Sequence, residues 1–137
     1  MIRHFHLDVP TNGKGLTDIT NDIKELLRRD PVDDGLCNLF VRHTSASLVI
    51  QENADPDVLH DLADWFARHA PDGHPNYRHT LEGPDDMSAH IRSALTQTSL
   101  SIPICAGDLA LGTWQGVYLF EHRLQPMTRE VLVSLYS

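Results

Sequence analysis

The chain has 137 residues, of which 41% are hydrophobic and 22% charged, and its net charge is −8. This composition is ordinary for a globular protein, and the length favours one domain over residues 1–137 rather than a complete eight-fold α/β barrel. The negative charge argues against general nucleic-acid binding, and without a long apolar run or a signal-peptide pattern we expect a cytoplasmic protein that does not enter the membrane.

The periodicity of apolar residues changes irregularly along the chain. Strands are predicted over residues 2–9, 15–19, 36–43, 47–51, 98–105, 108–111, 113–123 and 128–136. Three helices are predicted, with Thr20, Asp55 and Asp86 as their N-caps. A long loop over residues 71–84 is of a length that is often functional. About eight strands and three flanking helices predict the α+β class with a mixed, largely antiparallel, barrel-like sheet.

Nine histidines stand out in a chain of this length. Strand alternation places His43 on an apolar face at the end of its strand, helical spacing turns His90 inward, and His79 lies in the long loop. These three imidazoles could converge on zinc or another transition metal, which imidazole suits better than it suits Mg²⁺. No HExxH or CxxC spacing supports such a site, so separate histidines satisfied by their neighbours are the alternative. His122, on the strand face of Phe120, is expected to pack or to line an interface.

The acidic residues form a second group of candidates. Glu121 shares an apolar strand face with Val117 and Leu119, so it needs a partner, for which Arg123 or a histidine would serve. Asp85 follows Gly83-Pro84 near the long loop. Asp55 and Asp86 are expected to cap helices rather than to contact a substrate.

Other motifs point less clearly to chemistry. The segment Gly112-Thr113-Trp114-Gln115-Gly116 is either a tight turn whose Trp packs outward, or a place where the backbone comes close to a ligand that Thr113 and Gln115 bind through side-chain hydrogen bonds. No glycine-rich nucleotide loop and no serine nucleophile elbow occurs. The two cysteines, Cys37 and Cys105, are in no CxxC pair and are expected to be buried thiols.

Five blocks, taken together and in order, resemble the YjbQ-like family, also known as the secondary thiamine-phosphate synthase family, over about residues 36–136. They are His43-Thr44-Ser45-Ala46-Ser47-Leu48, then Glu52-Asn53 with Asp55-Pro56, then Asn76-Tyr77-Arg78-His79 with Glu82-Gly83-Pro84-Asp85-Asp86-Met87 and His90, then Gly112-Thr113-Trp114-Gln115-Gly116, and Glu121-His122-Arg123. Ser88 stands where a proline commonly follows the Met of this motif. The resemblance implies a mixed barrel-like fold, a homotrimer and a pocket near the subunit contacts.

Residue by residue, the resemblance implies metal or anion ligands at His43, His79 and His90. It also implies pocket residues, which are Glu52, Asn53, Asp85, Thr113, Gln115, Glu121 and Arg123. The implied thiamine-phosphate synthase reaction needs stabilisation of a diphosphate leaving group, normally by Mg²⁺ on carboxylates and by cationic side chains. An acidic chain with histidines at the site fits that reaction better as a side activity.

The first hypothesis is therefore an enzyme that acts on a small anionic or phosphorylated molecule. In it, Glu121 or Asp85 is the general acid–base, Arg123 holds the anion or positions Glu121, and a divalent metal is the possible cofactor. The alternative is a trimeric protein that binds a small metabolite, anion or metal without turnover. A third reading is an interaction protein whose histidines pack at a subunit interface and charge near pH 5–6.

Overall fold

The computed structural model describes residues 1–137 as eight strands and three helices. In chain order they are β1 (Ile2–Asn12), β2 (Gly15–Asp18), α1 (Thr20–Arg29), β3 (Gly35–Val41), β4 (Ala46–Glu52), α2 (Pro56–His69), α3 (Asp86–Leu95), β5 (Ser99–Cys105), β6 (Asp108–Leu109), β7 (Gln115–Glu121) and β8 (Pro126–Tyr136). None of the helices has the length and apolar character that a membrane crossing needs.

All strand pairs are antiparallel, and the strands form two sheets in the orders β1-β8-β3-β5-β6 and β2-β7-β4. One of the sheets curves into a half-barrel. The predicted α+β class, with about eight strands and three helices, is confirmed.

The strand β8 lies inside the larger sheet and joins elements that are far apart in the chain. It pairs with β1 along its whole length, from Tyr136 opposite Ile2 to Pro126 opposite Asn12. Its other edge pairs with β3, where Val131 lies opposite Val41. The N-terminal and C-terminal strands are therefore neighbours in this sheet.

The strand β7 is the central strand of the smaller sheet, and it is also buried on both faces because the core packs on one face and α2 on the other. Val117 and Leu119 belong to a core cluster of 18 residues drawn from both sheets and α1. On the opposite face, Phe120 packs edge-on against Phe66 of α2, with 5.4 Å between ring centroids. Polar residues on either face of β7 must therefore find their partners inside the protein.

The helix starts differ in how they are capped. The cap predicted at Asp55 is confirmed, because its carboxylate accepts a hydrogen bond from the backbone N–H of Asp57 at 2.9 Å. The cap predicted at Thr20 is wrong: Thr20 is the first residue of α1, and its own N–H donates to the carboxylate of Asp18. The cap predicted at Asp86 is also wrong, because Asp86 is the first residue of α3 and its side chain contacts other residues, described below.

The two cysteines have different environments. Cys37 is buried on the inner face of β3, and burial raises the pKa of its thiol to about 12. Cys105 is exposed, so the expectation of a buried thiol there is wrong. The reason is strand alternation in β5, where Ile102 and Ile104 point inward and Cys105 follows on the outer face.

Candidate functional site

The loop between α2 and α3 places His79 beside the first turn of α3. The ends of the loop are joined by a hydrogen bond from the N–H of Gly73 to the carbonyl of Pro84 at 2.9 Å. The Tyr77 hydroxyl donates to the carbonyl of Pro71 at 3.0 Å. These contacts give the loop a defined path even though His79 itself is exposed.

Three side chains meet at this place. The Nε2 atoms of His79 and His90 lie 2.6 Å and 3.0 Å from the same oxygen, Oδ2 of Asp86. Asp86 and His90 are four residues apart on α3, so they share one helix face. All three ligand atoms lie within 4.8 Å of one another, and the group could therefore hold a metal ion.

The hydrogen bonding of His90 supports this interpretation. Its Nδ1 lies 3.0 Å from the carbonyl oxygen of Thr44, and because a carbonyl only accepts, Nδ1 must carry the proton. In the neutral ring the Nε2 lone pair then faces the carboxylate of Asp86, which is favourable only with a proton or a cation between them. Metal-bound histidines typically donate their other ring N–H to a carbonyl or carboxylate in this way.

Arg123 binds the other side of the acidic pair. Its Nη1 donates to Oδ1 of Asp86 at 2.6 Å, its Nε donates to Oδ2 of Asp85 at 2.9 Å, and its Nη2 donates to the carbonyl of Glu82 at 3.0 Å. Burial alone would raise the pKa of Asp86, but the hydrogen bond from His79 and the nearby charges of His90 and Arg123 hold it below its usual value. Asp86 is therefore an ionised carboxylate.

His43 does not join this group, and Asp86 is the third member instead. The backbone N–H of Glu130 donates to Nε2 of His43 at 2.8 Å, so this nitrogen is already occupied, and Nδ1 lies 3.4 Å from Nη1 of Arg129. Burial and the charge of Arg129 lower the pKa of His43. His43 and His90 instead line one cleft of about 540 Å³ between the end of β3 and α3.

Glu121 lies in the interior with both oxygens occupied. It forms a buried ion pair with Arg129, accepting from Nε at 2.7 Å and from Nη2 at 2.5 Å, so the expectation that Arg123 or a histidine neutralises it is wrong. The Thr11 hydroxyl and the backbone N–H groups of His122 and Arg123 also donate to it. Burial alone would raise the pKa of Glu121, but the hydrogen bonds from Arg129 and Thr11 hold it below its usual value.

His122 packs as expected from its strand face. Its ring is fully buried, 4.4 Å from the ring of Phe120, and its Nε2 lies 2.8 Å from the Ser47 hydroxyl. The other ring nitrogen, Nδ1, has no hydrogen-bond partner. Burial, assisted by the charge of Arg92, lowers the pKa of His122 to about 3, so the ring is neutral.

The remaining predicted pocket residues lie at the other end of the smaller sheet. They are Glu52, Asn53, Thr113 and Gln115. Glu52 pairs with Gln115, whereas Glu121 pairs with Ala46 six positions along β4, which is about 20 Å away. The backbone N–H of Asn53 donates to the carbonyl of Trp114 at 3.0 Å, and the Gln115 side chain accepts from the Gly112 N–H at 2.8 Å. Within one chain these residues therefore do not meet the histidines.

Two residues of this region were missed from the sequence. The sequence does not single out Asp86 as a ligand, because a carboxylate at a helix start is adequately explained as a cap. Arg129 carried a usable signal, because it alternates with Val131 and Val133 on the inner face of β8, and a cation there needs a buried anion. Because Glu121 and Arg129 are opposite charges on inward strand faces, the sequence is consistent with an ion pair between them.

Comparison with known proteins extends the resemblance to almost the whole chain. Residues 5–137 match the family model described as UPF0047 protein YjbQ-like. The UPF0047 protein sll1880 of Synechocystis is 58% identical over 94% of this chain and 88% of its own length. The UPF0047 protein YjbQ of Escherichia coli O157:H7 is 42% identical over 94% of each chain.

Solved structures agree with the fold. The conserved hypothetical protein TT1486 from Thermus thermophilus superposes with a TM-score of 0.86 and 41% identity, over 96% of this chain and 99% of its own. An uncharacterised YjbQ/UPF0047 protein from Clostridium acetobutylicum superposes with a TM-score of 0.85 and 36% identity, over 98% and 99% of the two chains. This chain belongs to the UPF0047 family of YjbQ-like proteins.

Proposed function

We propose that the protein is a small-molecule enzyme in which His79, Asp86 and His90 bind one divalent transition metal. The observation that carries the proposal is the convergence of two imidazole nitrogens on one carboxylate oxygen, with the outer atoms of His90 and Asp86 held by Thr44 and Arg123. Two imidazoles and one carboxylate suit Zn²⁺ or Fe²⁺ better than Mg²⁺, which prefers oxygen ligands. The chemistry that such a metal supplies is polarisation of a substrate oxygen or activation of a bound water.

The proposed substrate is a small anionic or phosphorylated molecule in the cleft of about 540 Å³ that includes His90. Polar side chains of the cleft are Arg42, His43, Thr44, Ser93 and Thr98, and no acidic residue lines it. Hydroxyl and guanidinium groups are suitable donors to an anion. A molecule in this cleft would lie against the imidazole of His90, which also faces the proposed metal.

The roles of the predicted catalytic residues follow from their contacts. Glu121 accepts five hydrogen bonds and is sealed from the cleft, so we assign it to holding Arg129 and the end of β7 rather than to proton transfer. Asp85 and Arg123 bind each other, and we assign them to positioning of Asp86. A metal held by His79, Asp86 and His90 would supply an activated water for proton transfer.

We further propose a homotrimer, in which a neighbouring subunit brings the Glu52 and Gln115 end of one protomer to the histidine group of the next. The distance of about 20 Å between these ends within one chain favours this arrangement over a site made by one protomer. Trp114, which is 62% exposed beside them, is available for such a contact. Light scattering that gives the mass of one chain would contradict the trimer.

The metal proposal is tested by metal analysis of protein purified without a histidine tag, followed by calorimetric titration of Zn²⁺, Mn²⁺ and Mg²⁺ into chelator-treated protein. We expect one Zn²⁺ per chain. The variants His79→Ala and Asp86→Asn should lower its affinity at least 10-fold, because each removes or weakens one ligand. His60→Ala, at an exposed position of α2, is the control and should bind as the wild type does. Equal affinity in all four proteins would contradict the site.

Turnover distinguishes an enzyme from a binding protein. The metal-loaded protein is incubated with the pyrimidine diphosphate and the thiazole phosphate, and thiamine phosphate is measured against time. Multiple turnovers that disappear in Asp86→Asn support the enzyme and this substrate class. Saturable binding of either precursor without product supports the binding protein instead.

A further inference from the structure

We infer that Arg123 is a positioning residue of the metal site, which holds one oxygen of Asp86 so that only the other oxygen can bind the metal. The inference rests on the proposed function. It gives Arg123 a role other than the one implied by the resemblance, which was to hold a substrate anion or to position Glu121.

The contacts of Arg123 use three of its five guanidinium N–H groups, one on each nitrogen, within the protein. Its guanidinium donates from all three nitrogens, to Asp85, to Asp86 and to the carbonyl of Glu82, over distances of 2.6–3.0 Å. Asp85 is in turn fixed, because the same Oδ2 accepts from the backbone N–H of Leu124 at 2.9 Å. The guanidinium is therefore held between the end of the loop and the start of α3.

The two carboxylate oxygens of Asp86 therefore have different partners. Oδ1 accepts from Nη1 of Arg123 at 2.6 Å, and Oδ2 faces Nε2 of His79 and of His90. A carboxylate turns readily about its last torsion, so without Arg123 both oxygens could bind one metal. With Arg123 in place the protein offers three ligand atoms, and the other coordination positions stay open for water and substrate.

Lysine cannot replace Arg123 in this role. The planar fork of arginine reaches several acceptors at fixed angles, whereas a lysine ammonium is a point charge on a flexible stem. Lysine at this position would keep the charge beside Asp86 but would not span Asp85, Asp86 and the carbonyl of Glu82. The variant Arg123→Lys therefore separates the geometry of these contacts from the charge of the side chain.

The test is titration of the chelator-treated full-length protein with Co²⁺, whose visible absorption is intense at four-coordinate sites and weak at six-coordinate sites. We expect Arg123→Lys and Arg123→Gln to weaken Co²⁺ binding 10- to 100-fold, the usual effect of losing an outer contact of a ligand. We also expect weaker absorption per bound ion, because Asp86 then supplies a second oxygen. Arg68→Lys, in an exposed pair with Asp64, is the matched control and should leave affinity and spectrum unchanged.

Circular dichroism of each variant establishes that it is folded. Asp85→Asn keeps the shape of this partner side chain and weakens its hold on Arg123, so it should shift the spectrum in the same direction and provides the test when the Arg123 variants do not fold. Wild-type affinity and spectrum in the folded variants would overturn the inference alone. Failure of the wild type to bind Co²⁺, Zn²⁺ or Fe²⁺ would overturn the metal site and the inference together.

Discussion

The neutral, buried ring of His122 should make the folded protein lose stability as the pH falls from 7 to 5. Burial lowers the pKa of this histidine from 6.5 to about 3, so the folded state does not bind the proton in this range. The unfolded chain, with an ordinary histidine, does bind it. Protonation therefore favours the unfolded state, and stability falls below pH 6.5 until the pH approaches 3.

The size of this effect follows from the two pKa values. One unit of pKa difference corresponds to about 1.4 kcal/mol, and between pH 7 and pH 5 the unfolded state gains about 2 kcal/mol from the protonation of His122. This is a large share of the roughly 5–15 kcal/mol by which a domain is usually stable. It should be visible in urea unfolding followed by circular dichroism.

The substitution His122→Gln isolates this contribution. A glutamine amide can reach the Ser47 hydroxyl in place of Nε2 but does not titrate, and any constant loss in packing cancels when one protein is compared with itself at two pH values. We expect the wild type to lose about 2 kcal/mol more than the variant between pH 7 and pH 5. His60→Gln, on the exposed side of α2, should follow the wild type. Parallel stability curves for the wild type and His122→Gln would refute the reasoning.

Two further predictions concern the interior. Glu121→Gln should lower the free energy of unfolding by about 3–5 kcal/mol because it leaves Arg129 buried without a counter-charge. The double variant Glu121→Leu with Arg129→Met should lose less stability than either of these two substitutions made alone. Urea unfolding measures all of these variants, and a double variant whose loss equals the sum of the two single losses would contradict the pairing. A thiol reagent at pH 8 should modify only Cys105 in the native protein, because Cys37 is buried and its thiol has a pKa of about 12. Both cysteines should react after unfolding. Mass spectrometry of the modified peptides identifies the labelled cysteines, and rapid labelling of Cys37 in the native protein would contradict the prediction.

The elements could be predicted from the sequence because local periodicity determines them. The stripe of α2 and the alternation of β3 are local patterns, and the Asp55-Pro56 start of α2 is a local signal. The division into two sheets is not local. It depends on pairings such as β1 with β8, which join residues up to 134 positions apart, and no turn or period in the sequence specifies them.

The candidate site could be predicted only in part for a related reason. The sequence indicates His79 and His90 because an inward or loop histidine is an unusual feature, whereas the carboxylate of Asp86 at a helix start is already explained as a cap. His43 is selected in the same way, because strand alternation places it on an apolar face at the end of its strand. Only the approach of the Glu130 backbone, which no side-chain pattern reports, shows that its Nε2 is already occupied.

The position of β8 between β1 and β3 has a consequence for the order in which the protein folds. While the ribosome is still adding residues 126–136, the first and third strands have been made but lack the strand that joins them. The larger sheet can close only after β8 is synthesised, so its assembly follows synthesis of all the other strands and helices of the fold. Pairings between such distant segments are slow to form, typically over about milliseconds to seconds, and until then the unpaired edges of β1 and β3 are open to other chains.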